Sequence, residues 1–290
     1  MKHRKIAAFR WRGGKYFDLP FILPYFPGDI HHFVDVFGGS ASVIINMPPT
    51  PIMTYNDING EIVNFFRQLR GWPRDLITNL LLTPYSREEY AACVETPAEA
   101  PDDLERARRF YVRVRQTMLG MGGQKELPRR LWARVVNHTG NAEISQWLNG
   151  IDKLPQIADI FQSIQIENES ALDIIRKMDS EQVFFYCDPP YVMETRRSGW
   201  EYEYEFGEAE HTALAEALGA CKARVMVSGY PGTLYDRIFA DWKRIDSAPK
   251  IENSSVSSGK MRYREQSIWI NYDPPAKATG KQAEISYAGV

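Results

Sequence analysis

Cysteine is scarce in this chain of 290 residues: Cys93, Cys187 and Cys221 are odd in number, scattered and without metal-ligand spacing. Their pattern excludes a disulfide framework, fits a reducing compartment and leaves no metal to expect. No apolar run approaches the roughly 18 residues of a membrane span. The start Met1-Lys2-His3-Arg4-Lys5 is not followed by the apolar stretch of a signal peptide. A cytoplasmic chain with no membrane partner is therefore expected. The dinucleotide fingerprint G-x-G-x-x-G is also missing, which disfavours a nicotinamide oxidoreductase. Histidine is sparse at five residues, and the pair His31-His32 would point to opposite faces of a strand, a structural arrangement. An excess of positive charge is lacking too, the net charge being −2, so the sum does not resemble that of a nucleic-acid binder.

The chain is 44% hydrophobic and 25% charged, enough to bury one large domain or one domain plus an insert. Its charge is unevenly placed. Between Leu104 and Arg134 nine basic residues stand against two acidic ones, a local patch of the kind that meets phosphate. An arginine-rich helix is expected from Asp103 to Met118, with Arg106, Arg109 and Arg113 on one face by their spacing. Gly120 to Lys125 then forms a flexible basic loop, followed by Arg129 and Arg130. A solvated helix face is the competing explanation for the arginines.

The stretch His32 to Ile44 has the form strand, glycine turn, helix, with Phe37-Gly38-Gly39-Ser40-Ala41 as the turn. Such a first βα unit passes close to a bound molecule. Pro51 to Asn59 follows as a strand ending in Asp57, where open α/β folds put the carboxylate that takes ribose hydroxyls; a helix cap is its other reading. Gly60 to Leu69 reads as a helix. Strand signals become scarce from Trp72 to about Asn149 and return at Ser163, Val183, Ala223 and Gln266. Trp200 to Phe206 alternates aromatic and glutamate, one face apolar if extended.

Val183-Phe184-Phe185-Tyr186-Cys187 is a short buried strand by composition, and Asp188-Pro189-Pro190-Tyr191 stops it abruptly. Neither proline has an N–H, so no sheet partner or helix claims this backbone, while both carbonyls remain acceptors. The result is a stiff bracket: a carboxylate, a main-chain oxygen and an aromatic face at a strand's carboxyl end. A planar group with an exocyclic NH₂ fits it, donating one proton to Asp188 and one to the Pro189 carbonyl while stacking on Tyr191. By average composition the four-residue string arises by chance at roughly 10⁻³ in a chain this long, so it is treated as signal.

With the Trp11-Arg12-Gly13-Gly14-Lys15 turn and the Phe37-Gly38-Gly39 turn, this string resembles the Dam-type DNA adenine-N6 methyltransferases, from about Phe9 to Tyr272. The resemblance implies a doubly wound α/β fold with a mostly parallel methyltransferase sheet. The core would be split between residues 1–70 and 160–290, with a mainly helical target-recognition region inserted at 71–159. It implies S-adenosylmethionine held by Trp11, Lys15, Asp35, Phe37, Gly39, Asp57 and Asp188. It further implies catalysis by Asp188, Pro189, Pro190 and Tyr191 on an adenine flipped from double-stranded DNA. Phosphate contacts would fall to Arg106, Arg109, Arg113, Lys125, Arg129 and Arg130. Such an enzyme acts in the cytoplasm of a bacterial or phage-infected cell, in restriction-modification among other settings, as a monomer or weak dimer. The family pattern has glycine where this chain has Ala41. Two alternatives stay open at this stage: a catalytically silent DNA-binding protein of the same fold, and an RNA adenine or DNA cytosine-N4 methyltransferase.

Overall fold

The computed structural model describes residues 5–11, 13–95, 100–118, 131–133, 142–190, 206–251 and 263–276. A 3₁₀ turn at Lys15–Phe17 and a short helix α1 (Leu19–Ile22) precede strand β1 (His32–Asp35). After β2 (Ile52–Asn56) come α2 (Gly60–Gly71), α3 (Pro73–Leu82), α4 (Arg87–Glu95), α5 (Asp103–Gln116), α6 (Ala142–Ile151) and α7 (Leu154–Phe161). Strands and helices then alternate: β3 (Ile164–Glu167), α8 (Ala171–Met178), β4 (Val183–Cys187), α9 (Glu208–Ala220), β5 (Arg224–Gly229), α10 (Thr233–Ile238) and β6 (Lys243–Asp246). β7 (Lys250–Ile251) pairs with β8 (Tyr263–Arg264), and β9 (Ser267–Ile270) ends the described elements.

The main sheet has seven strands in the order β3-β2-β1-β4-β5-β9-β6. The pairs β1–β4, β2–β3 and β4–β5 are parallel, while β9 runs antiparallel to both β5 and β6. This is a doubly wound α/β sheet, mostly parallel, as the resemblance leads one to expect. Parallel sheets are covered on both faces, so their strands read as unbroken apolar runs. Accordingly every residue of β4 is buried. The edge strand β6, Lys-Arg-Ile-Asp, is largely exposed, and no hydrophobic reading of the sequence finds it.

The chain divides into two compact units, with the described residues of 1–16 and 38–170 in the first and those of 17–37, 171–190 and 206–276 in the second. In the second unit α8, α9 and α10 close over β1, β4 and β5, burying Val34, Phe185, Val225, Leu214, Ile174 and Trp269 in one cluster. In the first unit the core is aromatic. Phe66 stacks on Phe161 at 4.4 Å and meets Tyr55 edge-on at 5.1 Å, while Phe65 stacks on Tyr111 of α5 at 5.4 Å. Helices α3 to α7 thus belong to the same compact unit as β2, α2 and β3, and no unit boundary falls at 70/71.

The helix expected after the glycine turn is a series of turns instead. Ala41 holds a positive φ of 57°, outside the helical region. Asn46 Nδ2 takes the carbonyls of Ser42 and Ile6, and Pro48-Pro49 then forbids any further helix. Likewise α2 is capped by Asn59, whose side chain accepts from Glu61 N and Ile62 N, and not by Asp57.

Removing the Phe66 ring should cost about 3 to 5 kcal/mol, read as a lowered urea midpoint for Phe66→Ala. Leu82, 78% exposed, should change stability by no more than about 0.5 kcal/mol on the same substitution.

Candidate active site

In the first unit the glycine turn is gripped at both of its peptide groups. Gly39 N donates to Asp57 Oδ2 at 2.8 Å, and Tyr55 Oη donates to Gly39 O at 2.7 Å. Gly39 has a φ of +48°, which glycine adopts without steric penalty. Gly38 lies flat on Tyr55: a Cβ there would stand 2.2 Å from the buried ring. At Gly39 a Cβ would meet Trp11 Cδ1 and Nε1 at 3.3 Å, so the Trp11 ring lies over the turn. Backbone and indole together form a close-packed cradle at this turn. Ala41 sits in the left-handed region, a conformation that costs a residue with a Cβ about 1 kcal/mol or more.

The second wall of this cradle is the N-terminal turn. Gly13 has a φ of +78°, Gly14 N donates to Trp11 O at 3.0 Å, and the buried Lys15 donates from Nζ to Gly13 O at 3.1 Å. Asp57 follows β2, with Oδ1 accepting from Asn59 N at 2.8 Å. Burial pushes its carboxyl above the ordinary range, while the N–H groups of Asn59 and Gly39 pull it down. The folded chain therefore binds this proton more readily than the unfolded one. The burial works against stability above the raised pKa, and the penalty disappears as pH falls below the unfolded value. Two amides fix the loop: Asn168 Nδ2 donates to Asp57 O, and Asn56 exchanges hydrogen bonds with the backbone of Glu169.

In the second unit β1 and β4 run parallel, with Asp35 opposite Tyr186. Asp35 is buried at the carboxyl end of β1, and Asp188 follows β4 directly with its side chain partly exposed. Ser228 Oγ donates to Asp188 Oδ1 at 2.8 Å. Pro189 is buried and Pro190 partly so. Cys187, next to the carboxylate, has its thiol pushed up chiefly by burial. Phe37 meets Phe206 edge-on at 5.7 Å, and Phe206 meets His211 at 4.8 Å. Tyr235 bonds His211 Nδ1 at 3.1 Å; burial first, then the Asp188 charge, push its hydroxyl far up, so it stays protonated.

The arginines of α5 share a face, as their spacing predicts, but carboxylates meet them there. Arg106 and Arg113 both reach Glu61 of α2, Arg109 reaches Glu105, and Arg108 bridges Glu105 and Glu89. Their charge is compensated within the fold, which the run of residues from 104 to 134 does not reveal, because Glu61 and Glu89 come from elsewhere in the chain. Tyr191, Lys125, Arg129, Arg130 and the alternating stretch Trp200 to Glu205 lie outside the described residues. Tyr55, Asn56, Asn168 and Ser228 were not found by motif. Within the first unit Tyr55 and Asn168 reach the glycine turn and Asp57, and within the second Ser228 reaches Asp188.

Gly38→Ala drives a methyl into the Tyr55 ring. It should destabilise by about 1 to 3 kcal/mol in thermal or urea unfolding, whereas Ala41→Gly, where relieved strain opposes lost burial and a freer unfolded chain, should move stability by less than about 1 kcal/mol.

The Type II methyltransferase M1.LlaDCHI of Lactococcus lactis subsp. cremoris is 25% identical to this chain over 274 residues, 87% of this chain and 91% of that protein. Modification methylase StsI of Streptococcus sanguinis is 44% identical over 67 residues, 23% of this chain and 10% of that protein. A solved structure described as a conserved hypothetical protein of Streptococcus pyogenes aligns over 89% of this chain and 96% of its own, at 10% identity and a TM-score of 0.35. A family model covers residues 11–253, a span that holds the cradle of Trp11 to Asp57 and the bracket at Asp188. The chain belongs to the D12 class N6 adenine-specific DNA methyltransferases.

Proposed function

We propose that this enzyme transfers a methyl group from S-adenosylmethionine to N6 of an adenine flipped out of double-stranded DNA, with Asp188 and the Pro189 carbonyl as the acceptors that grip the amine. The observation that carries the reading is Asp188 itself: a partly exposed carboxylate at the end of a fully buried parallel strand, held by a buried hydroxyl. Ligands of open α/β sheets bind at that edge.

The cradle suits the methyl donor. The Trp11 ring lies 3.3 Å from where a Cβ at Gly39 would stand, so glycine keeps the main chain of the turn bare for a close approach. Asp57 is assigned to the ribose hydroxyls through lone pairs beyond those taken by Gly39 and Asn59, and Trp11, Lys15, Asp35 and Phe37 to the rest of the molecule. S-adenosylmethionine, when bound, supplies a methyl group on a sulfonium whose leaving group is a neutral thioether.

The N6 lone pair of adenine is conjugated into its ring, so the nitrogen is a poor nucleophile until its pyramidal form is favoured. Acceptors for both amino protons favour it. Asp188 and the Pro189 carbonyl attract those protons most strongly as positive charge grows on nitrogen, so they stabilise the transition state more than the ground state. Asp188 then accepts the departing proton, directly or through water. The two prolines keep the bracket stiff, since their φ is fixed. Extruding the base costs a few kcal/mol, and stacking on Tyr191 returns about 1 to 3 kcal/mol. For phosphate we favour Lys125, Arg129 and Arg130. Arg106, Arg109 and Arg113 already hold carboxylates, which supports a role in fixing α5 within its unit.

Asp188→Ala should abolish methyl transfer while binding of S-adenosylmethionine, followed by calorimetry, is retained; an alanine variant with normal turnover overturns the assignment. Tyr191→Ala should lose about 10-fold or more in kcat/KM, and Tyr191→Phe should recover most of it.

A further inference from the structure

We infer that Ser228, backed by Tyr186, is a positioning residue for the catalytic carboxylate. This rests on the assignment of Asp188 above and goes beyond it, since neither residue is part of the Asp-Pro-Pro-Tyr string.

Strands β4 and β5 are parallel, with Tyr186 opposite Met226 and Cys187 opposite Val227. One step further along the same register sets Asp188 beside Ser228. Tyr186 and Asp188 are two residues apart, so extended backbone turns their side chains to one face. Ser228 on the neighbouring strand stands between them: its Oγ is 2.9 Å from Tyr186 Oη and 2.8 Å from Asp188 Oδ1. Ser228 is fully buried and Tyr186 nearly so, at 1%.

The proton count fixes the direction. A serine hydroxyl has one proton. The Cys187 carbonyl competes for it from 3.5 Å, but a carboxylate at 2.8 Å is the stronger acceptor. Ser228 therefore donates to Asp188, and Tyr186 must donate to Ser228. The chain runs Tyr186 O–H to Ser228 O–H to carboxylate, each bond polarising the next. It sets the rotamer of Asp188, which an amine in transit from the DNA stack has to meet already aligned. A hydroxyl placed solely for β5 packing has no need of this relay.

The test compares single-turnover kcat, KM for S-adenosylmethionine and DNA affinity across Ser228→Ala, Ser228→Thr, Tyr186→Phe and the Ser228→Ala/Tyr186→Phe double variant, with Asp188→Ala as reference. Ser228→Ala should lower kcat about 10- to 100-fold with KM and DNA affinity within about 2-fold, and Ser228→Thr should restore most of the loss. Tyr186→Phe, which removes only the hydroxyl, should lower kcat by itself yet add nothing in the Ser228→Ala background. Wild-type kcat in Ser228→Ala, or independent and additive losses, overturns the inference while leaving Asp188 as the catalytic group. Normal turnover in Asp188→Ala instead overturns the assignment on which it rests.

Discussion

The register between two parallel strands is the constraint on which the bracket depends. Because β4 and β5 pair in phase up to Cys187 and Val227, the residue that leaves β4 first has Ser228 as its neighbour. A slip of one residue would turn every β4 side chain to the other face, and the fully buried β4 has no tolerance for it. Apolar packing in the interior thus sets the orientation of a charged group at the rim. Pro189 and Pro190 complete the arrangement by ending the ladder at that point.

Tight packing governs the glycine turn of the first unit in the same way. Tyr55 is buried in the first unit against Phe66 and Phe161, yet its hydroxyl reaches Gly39 O and its ring covers Gly38. The aromatic core that stabilises this unit therefore also shapes the cradle. Asp57 holds the turn from the opposite side through Gly39 N. A carboxylate with both oxygens engaged by backbone is poorly placed to wander.

What the sequence revealed was what local chemistry dictates. The buried strand ended by two prolines, the glycine turn, the acid after β2 and the arginine face of α5 were all legible, because each is set by residues adjacent in the chain. The resemblance carried by these motifs also led correctly to a doubly wound, mostly parallel sheet. What escaped was set by partners distant in sequence. Glu61 and Glu89 compensate arginines some way along the chain. Ser228 reaches Asp188 across 40 positions, and Asn168 reaches Asp57 across 111. Strand β6 escaped for a different reason: at a sheet edge it carries no apolar alternation. The helix expected after the glycine turn gave way to the positive φ of Ala41, which no hydrophobic pattern reports, together with the Asn46 hydrogen bonds and the Pro48-Pro49 stop.

The chemistry assigned to the bracket is that of an exocyclic amine, which the family assigns to adenine N6. Its most direct test is to incubate the enzyme with a duplex library and S-adenosylmethionine carrying a labelled methyl group, digest the DNA to nucleosides and identify the labelled species. The label should be found on N6-methyl-2′-deoxyadenosine alone. Label on a cytosine, or none in DNA while the donor binds normally, would contradict the account.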